Sequence, residues 1–265
     1  MRDVPSQYVT YPPYLEAMEV REEIRHFRPG WLRAFPDPGK VDINLNFHKR
    51  LWHIAEHEQE IATAATRMLA SLTEARRESV IDTQKRLRKL KQEGTERETT
   101  LALGPHVIEL GRAASLDDPE AWWRRNALSN WYGAILEGDK GLTDWADYLG
   151  GYLDRRAIEI RDFASFWLED ARPEAMPRGF VHFAVVYSQL DHKVERGNLL
   201  DADHASASLD ADVFVTEDKS LHSVLRTVKR LEARLPEPRL AVRAGASAVA
   251  AVETALGGLQ VGGGT

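Results

Sequence analysis

Acidic residues flank a short apolar stretch in the C-terminal part of the chain, within LLDADHASASLDADVFVTEDKSL. Asp201 precedes a run of small residues, and Asp218 follows DVFVT, which has the composition of a buried strand. Carboxylates held close together repel one another unless a cation lies between them. Hard divalent ions such as Mg²⁺ and Mn²⁺ prefer oxygen ligands of this kind. The residues therefore predict a divalent-metal site, provided that the fold brings them together.

The elements around these residues predict how they meet. The sequence predicts a helix over 201–209 with Asp201 near its N-cap, a strand over 212–216, an amphipathic helix over 220–235 and a last strand over 239–244. Helix, strand, helix and strand in this order indicate a parallel α/β sheet. Sites in such sheets form beyond the carboxyl ends of the strands. Thr216 and Asp218 lie at that end of their strand.

The same segment resembles the C-terminal half of a PIN-like domain of the PIN-domain ribonuclease superfamily. That family has an acidic residue at a helix start, then a small-residue helix, then an Asp followed by an apolar strand that ends in Thr-x-Asp. The resemblance implies that Asp201 and Asp218 bind metal, with Thr216 as their hydroxyl neighbour. It implies a structural role for Asp212, and Glu217 pairs with it as a second structural acid.

Four further residues have a place in this comparison. Asp203 lies on the same predicted helix as Asp201 but points in a different direction. His204 is more often a packing or hydrogen-bonding residue than a ligand at this place. YVTYPPYLEAMEV, at 8–20, resembles the strand, proline turn and helix that carry another acid in the family. This shorter match implies Glu16 as a metal ligand, with Glu19 as the second choice.

The resemblance implies one α/β domain over 1–265, built on a PIN-like parallel sheet flanked by helices. Its parts are an N-terminal sheet part at 1–39, a long helical insertion at 40–175, a C-terminal α/β part at 176–250 and a tail at 251–265. The first strand of the family, which ends in Asp-Thr-Asn, has no counterpart upstream of the matched segment. Two explanations stay open: the chain is an N-terminally truncated form of a longer protein, or it lacks one metal ligand.

Local patterns predict the remaining elements. QYVT at 7–10 indicates a strand, and the residues after Pro12 and Pro13 indicate a helix. Helix formers run almost unbroken from about residue 46 to residue 91, and helical patterns return at 118–136 and 143–170. RGFVHFAVVYSQL, at 178–190, is equally consistent with a buried helix or a strand.

The function implied by the resemblance is a ribonuclease that uses Mg²⁺ or Mn²⁺ to hydrolyse the phosphodiester bonds of RNA, single-stranded RNA above all. A toxin or defence effector, with an inhibitory partner protein, is the corresponding biological role, and a homo-oligomer stays open. The alternative is a non-catalytic PIN-like module that binds RNA or a partner protein, its site incomplete without the first aspartate.

A separate motif, HIAEH, matches the His-x-x-Glu-His pattern of inverted zinc proteases through His53, Glu56 and His57. On a helix the two histidines would share a face, as zinc binding requires. A zinc site also needs a further carboxylate ligand, and an ordinary surface helix is the commoner explanation of so short a pattern, so a zinc protease is a remote alternative.

Two other patterns suggest contacts with nucleic acid. The basic run KRLRKLK at 85–91 suits phosphate contacts, although a solvated helix face balanced by glutamates is the commoner arrangement. Trp122 and Trp123, followed by Arg124 and Arg125, suit stacking on bases. Aromatic residues of this kind are more often anchors between helices.

Composition limits the classes of protein. The 265 residues are 43% hydrophobic, enough for a sizeable core, and the net charge of −6 argues against coating nucleic acid by bulk positive charge. The chain has no cysteine, which excludes disulfides and thiolate metal sites. With no apolar segment at its N-terminus, the chain is expected to be a soluble cytoplasmic protein that does not interact with membranes.

Overall fold

The computed structural model describes residues 12–41, 98–115, 118–138, 143–189, 198–209, 213–231 and 240–243, with isolated positions at 78, 81, 82, 85, 89 and 253. Within these residues the chain is mostly helical. The elements are α1 (Pro12–Phe27), β1 (Thr100–Leu103), β2 (His106–Glu109), α2 (Pro119–Tyr132), α3 (Thr143–Gly150), α4 (Ile160–Ser165), α5 (Pro177–Gln189), α6 (Asn198–Ser208), β3 (Val213–Thr216), α7 (Lys219–Leu231) and β4 (Leu240–Arg243).

Helix α1 forms where the sequence predicts it, with two prolines in its first turn. Ala17, Val20 and Ile24 recur at helical spacing, and all three are buried. Two basic residues, Arg25 and His26, occupy the last turn, where positive charge is favourable. The helix therefore buries one apolar face against the rest of the chain.

Among the described residues, the four largest fully buried side chains of the core are aromatic: Trp167, Phe163, Phe166 and Phe180. Trp131 and Trp167 stack with their ring centroids 6.0 Å apart, and Trp31 stacks on Phe163 at 5.8 Å. Helices α2 and α4 each continue into a π-helical turn, at Gly133–Glu137 and Phe166–Asp170. The second π-helical turn carries Trp167, so it positions one of the largest buried side chains of the molecule.

The tryptophan pair of α2 belongs to this core. Trp122 and Trp123 are both buried, and Trp123 meets Phe180 edge to face at 5.8 Å. Arg124 is buried as well and donates a hydrogen bond to the carbonyl oxygen of Trp167 at 3.1 Å. The interpretation of the pair as anchors between helices is confirmed, and base stacking by these two side chains is wrong because they lie inside the protein.

A β-hairpin interrupts the stretch predicted as a helical insertion. Strands β1 and β2 pair antiparallel, with Leu101 opposite Ile108 and Leu103 opposite His106. Gly104 begins the connecting turn with a φ of +52°, a conformation that glycine adopts without strain. The prediction of a long helical insertion at 40–175 is therefore incomplete. The alternating pattern of TLALGPHVIE and its Gly-Pro turn are the physical reason for the hairpin.

The C-terminal part follows the predicted order of helix, strand, helix and strand. The apolar segment predicted at 178–190 forms α5 as far as Gln189, so its described part is a helix rather than a strand. Strands β3 and β4 pair in parallel, with Val213 opposite Leu240 and Thr216 opposite Arg243. Among the described residues the parallel sheet has these two strands only, so a full PIN-like sheet is not seen there.

Two ion pairs join α1 to α5 and to the segment that leads into it. Glu23 is 3% exposed, and its carboxylate accepts hydrogen bonds from Arg172 Nε at 2.8 Å, Nη2 at 2.9 Å and the backbone N–H at 3.2 Å. Glu19 forms a salt bridge with Arg178. These contacts fix the position of the N-terminal helix relative to the C-terminal α/β part.

Helix α2 offers a test of a local stabilising contact. The Asp118 side chain caps the helix by accepting the backbone N–H of Glu120 at 2.9 Å. We expect Asp118→Ala to lower the free energy of unfolding by about 1 kcal/mol in urea titrations, because the N–H group loses its partner. Asp118→Asn retains a capping oxygen and is the matched control, and an equal loss in both variants would contradict the cap.

Several sequence-based predictions lie outside the described residues. They are the strand at 7–10, most of the helix at 46–91, the HIAEH motif and the tail at 251–265. Of the basic run at 85–91, positions 85 and 89 are described, and both are helical and exposed. None of the helices in the described part of the chain combines the length and the apolar character that a bilayer span requires.

Candidate functional site

Helix α6 carries Asp201 into the interior. The helix begins at Asn198, before the predicted start, so Asp201 lies within its first turn. Ala202 and Ala205 are buried, and their small side chains let α6 pack closely against α5. Asp201 itself is only 4% exposed. A carboxylate in this position is costly to ionise unless a compensating charge lies nearby.

Asp218 stands at the carboxyl end of β3, in the turn that leads into α7. Its backbone N–H donates to the Thr216 hydroxyl oxygen at 3.1 Å, and its Oδ1 accepts the backbone N–H of Leu221 at 3.1 Å. The first contact fixes the turn, and the second caps the helix. Asp218 thus has a structural role in addition to any chemical one, and it remains exposed at the surface.

The charge of Asp218 acts on Asp201 electrostatically. Burial raises the pKa of Asp201 above its usual value, and the nearby negative charge of Asp218 raises it further. His204, one turn along α6, lowers the pKa of Asp201 and so opposes these effects. The two residues that the sequence places at the centre of the site are therefore close enough for the charge of Asp218 to affect Asp201.

Glu16 lies at a different contact, against the first turn of α5. A Cβ atom on Gly179 would come within 2.9 Å of Glu16 Oε1, so the absence of a side chain there lets the two helices meet. The neighbouring Glu19 accepts the backbone N–H of Arg178 at 3.1 Å and pairs with its guanidinium group. Both glutamates thus place negative charge at the N-terminus of a helix, where it is favourable.

The predicted ligands are only partly assembled among the described residues. Asp201 and Asp218 interact, but across the described ranges no three histidine, aspartate or glutamate residues form a group that could hold a metal ion. Helices α1 and α6 are in contact, so Glu16 lies on an element next to the helix that carries Asp201. Asp203 lies on α6, Glu217 is exposed in the turn, and Asp212 falls outside the described residues.

The structure also contains a basic pocket that no sequence pattern predicted. It has a volume of about 370 Å³, and its charged lining comprises Arg33, Lys40, Asp154, Arg155 and Arg156. The adjacent arginines are a visible signal, but the residues at 33–40 are distant in sequence. Only the fold shows that these two segments share one pocket.

The raised pKa of Asp201 predicts a pH dependence of stability. A carboxyl group whose pKa is higher in the folded chain stabilises the fold fully below its unfolded value, close to 3.8, and this contribution is lost as the pH rises through the folded value. We therefore expect Asp201→Asn, which cannot ionise, to gain stability relative to wild type between about pH 4 and pH 7 in metal-free buffer.

Urea titrations across this pH range measure the difference. Glu217→Gln removes the same charge from an exposed neighbour of Asp218 and should follow the wild-type profile. A difference between Asp201→Asn and wild type that stays constant with pH would show that Asp201 does not carry the effect.

The chain shows no match to a protein-family model, to a curated protein or to a solved structure.

Proposed function

We propose that this chain is a PIN-like ribonuclease that requires a divalent metal ion and hydrolyses the phosphodiester bonds of single-stranded RNA. The observation that carries the proposal is the buried carboxylate of Asp201, whose pKa is raised by the negative charge of Asp218 at the carboxyl end of a strand in a parallel pair. Two carboxylates at this position in an α/β fold favour a cation-binding site over a purely structural arrangement.

The donor set suits a hard divalent cation. Asp201 and Asp218 supply carboxylate oxygens, the ligands that Mg²⁺ and Mn²⁺ prefer, and burial of Asp201 strengthens its attraction to a cation. Glu16 is proposed as a further ligand that reaches the ion from α1. When bound, the ion supplies Lewis-acid stabilisation of charge on the phosphate oxygens and lowers the pKa of a bound water.

The residues of the chain hold this site in place before any substrate arrives. Thr216 fixes the turn through its hydroxyl oxygen, and the helix cap fixes one oxygen of Asp218. Close packing of the small residues of α6 fixes Asp201. Such preorganisation favours catalysis because the charged groups need not rearrange when the phosphate becomes more negative.

The order of helix, strand, helix and strand supports the PIN-like part of the proposal, since it agrees with the C-terminal half of that family. A role as a toxin or defence effector, controlled by an inhibitory partner protein, follows from the same resemblance. The absence of cysteine agrees with activity in the cytoplasm.

A second candidate is a PIN-like module that binds RNA or a protein without cleaving RNA. The observation in its favour is that the described residues bring only two of the proposed ligands together. A site with too few ligands would hold a metal ion weakly. Binding of RNA would then be the whole activity.

Incubating the purified chain with 5′-labelled single-stranded RNA and Mn²⁺ or Mg²⁺ tests the first candidate. We expect shortened products that disappear when the metal is chelated. Binding of intact RNA without cleavage would favour the second candidate. An RNA that is neither bound nor cut would overturn both.

A further inference from the structure

We infer that the basic pocket binds the phosphodiester backbone of single-stranded RNA, and that Phe35 stacks on a base of the same strand. This inference deepens the proposed function and rests on it for the identity of the ligand. It adds a binding site separate from the carboxylates and assigns a role to residues that the cleavage site does not use.

The pocket lies between two segments of the chain, 33–40 and 150–156. Its volume of about 370 Å³ is within the range of ligand-binding clefts. Four of its lining residues carry positive charge: Arg33, Lys40, Arg155 and Arg156. Because the whole chain has a net charge of −6, this pocket is a local concentration of positive charge on an acidic protein.

Backbone hydrogen bonds hold the two segments together. The N–H of Arg33 donates to Tyr152, that of Asp37 to Gly151 and that of Asp154 to Trp31, each at 2.8 Å. A Cβ atom on Gly151 would come within 2.9 Å of Val41 Cγ2, so glycine permits this close approach. The pocket is therefore a fixed feature of the fold, and its cations are positioned before a ligand binds.

The acidic residues of the two segments are directed towards their own backbone. Asp154 accepts the N–H of Arg156 at 3.2 Å, and Asp37 accepts the N–H of Gly39 at 3.1 Å. Among the described residues, no salt bridge neutralises any of the four cations. Arg33 Nε donates to the Leu153 carbonyl oxygen at 2.9 Å, which orients its guanidinium group. The positive charge thus remains available to an anionic ligand.

The kind of charge and the neighbouring aromatic residue identify the ligand. Arginine presents a planar fork of donors that matches phosphate oxygens, and several cations in one pocket suit a ligand with successive phosphates. Phe35 lies on the segment that lines the pocket, and its side chain is 86% exposed. Cations that follow a backbone, with an aromatic ring open to a base, are the combination that binds single strands.

Fluorescence anisotropy of a labelled uridine oligonucleotide, measured in EDTA, tests this inference on the full chain. We expect the double variant Arg155→Ala/Arg156→Ala to bind about tenfold more weakly or worse at low salt. The slope of log affinity against log salt should become shallower by about 0.7 for each cation removed. Arg161→Ala removes one exposed charge outside the pocket and is the control, expected to change affinity less than about twofold.

Phe35 has its own pair of variants. Phe35→Ala should weaken binding about fivefold or more, whereas Phe35→Trp should preserve it, because stacking needs an aromatic face. Circular dichroism melting checks that each variant remains folded. Equal losses in Arg161→Ala and in the double variant would show that overall charge alone attracts the RNA, and would overturn the inference. Tight binding of free uridine monophosphate without binding of the oligonucleotide would overturn it as well.

These measurements separate the inference from the proposed function. Binding in EDTA involves no cleavage, so a chain that binds through the pocket but never cuts RNA would refute the nuclease and keep the pocket. Conversely, a chain that cuts RNA while the double variant binds normally would keep the nuclease and refute the pocket.

Discussion

RNA cleavage by the Asp218→Asn variant is expected to fall about 100-fold or more below that of the wild-type chain. Asparagine keeps the shape of the side chain and an oxygen that can accept the backbone N–H of Leu221, so the cap of α7 survives. The variant loses the negative charge that attracts a divalent cation. In the proposed mechanism several kcal/mol of transition-state stabilisation would come from that ion, and each 1.36 kcal/mol corresponds to a factor of about ten in rate.

The adjacent residue supplies a matched control. Glu217→Gln removes the same charge from the same turn, and Glu217 is exposed. Its cleavage rate should stay within about threefold of wild type, because the general attraction between exposed charges is screened by salt. Rates are measured with labelled RNA at saturating Mn²⁺. Undiminished cleavage by Asp218→Asn, or an equal loss in Glu217→Gln, would remove Asp218 from the active site.

The second large effect concerns stability. We expect Arg172→Ala to lower the free energy of unfolding by about 3 kcal/mol, because it deprives the buried carboxylate of Glu23 of two of its three hydrogen bonds. The third bond comes from the backbone and persists in the variant, but both guanidinium contacts disappear. The variant also loses the contact between the Arg172 guanidinium and the Phe27 ring, 5.2 Å from its centroid.

A double replacement separates the buried charge from simple loss of packing. Arg172→Met combined with Glu23→Met puts apolar side chains of similar length in both places, and such changes are often neutral. The double variant should therefore be more stable than Arg172→Ala in urea titrations. If it is less stable than the single variant, packing rather than an isolated carboxylate explains the loss.

Local patterns predicted the C-terminal elements well. DVFVT is short and apolar with β-branched residues, and the helix after it has a strong amphipathic pattern, so neighbouring residues largely determine both. The effect of the Asp218 charge on the pKa of Asp201 agrees with the rule that sites form at the carboxyl ends of parallel strands. Helix α6 begins at Asn198 rather than at the predicted Asp201, because Asn198 and the leucines after it also favour a helix.

Other features depend on contacts between distant segments. The predicted third ligand, Glu16, lies against Gly179, a contact that no local pattern reveals. The basic pocket needs Arg33 and Arg155 to share one surface, and backbone hydrogen bonds between separate segments create that surface. The hairpin had a local signal, because polar and apolar residues alternate on both sides of Gly104. The helix formers on either side of this stretch obscured it.

The ion pair between Glu23 and Arg172 also has a consequence for protein synthesis. Its two residues are 149 positions apart, and helix α1 has its main partners among elements beyond residue 143. At ribosomal rates of about 5–20 residues per second, roughly 8–30 s pass between the synthesis of the two residues. During that time the described partners of α1 from residue 143 onwards have not been made, so Ala17, Val20 and Ile24 lack most of the described contacts that bury them, and the nascent chain is a natural client for chaperones that shield apolar helices.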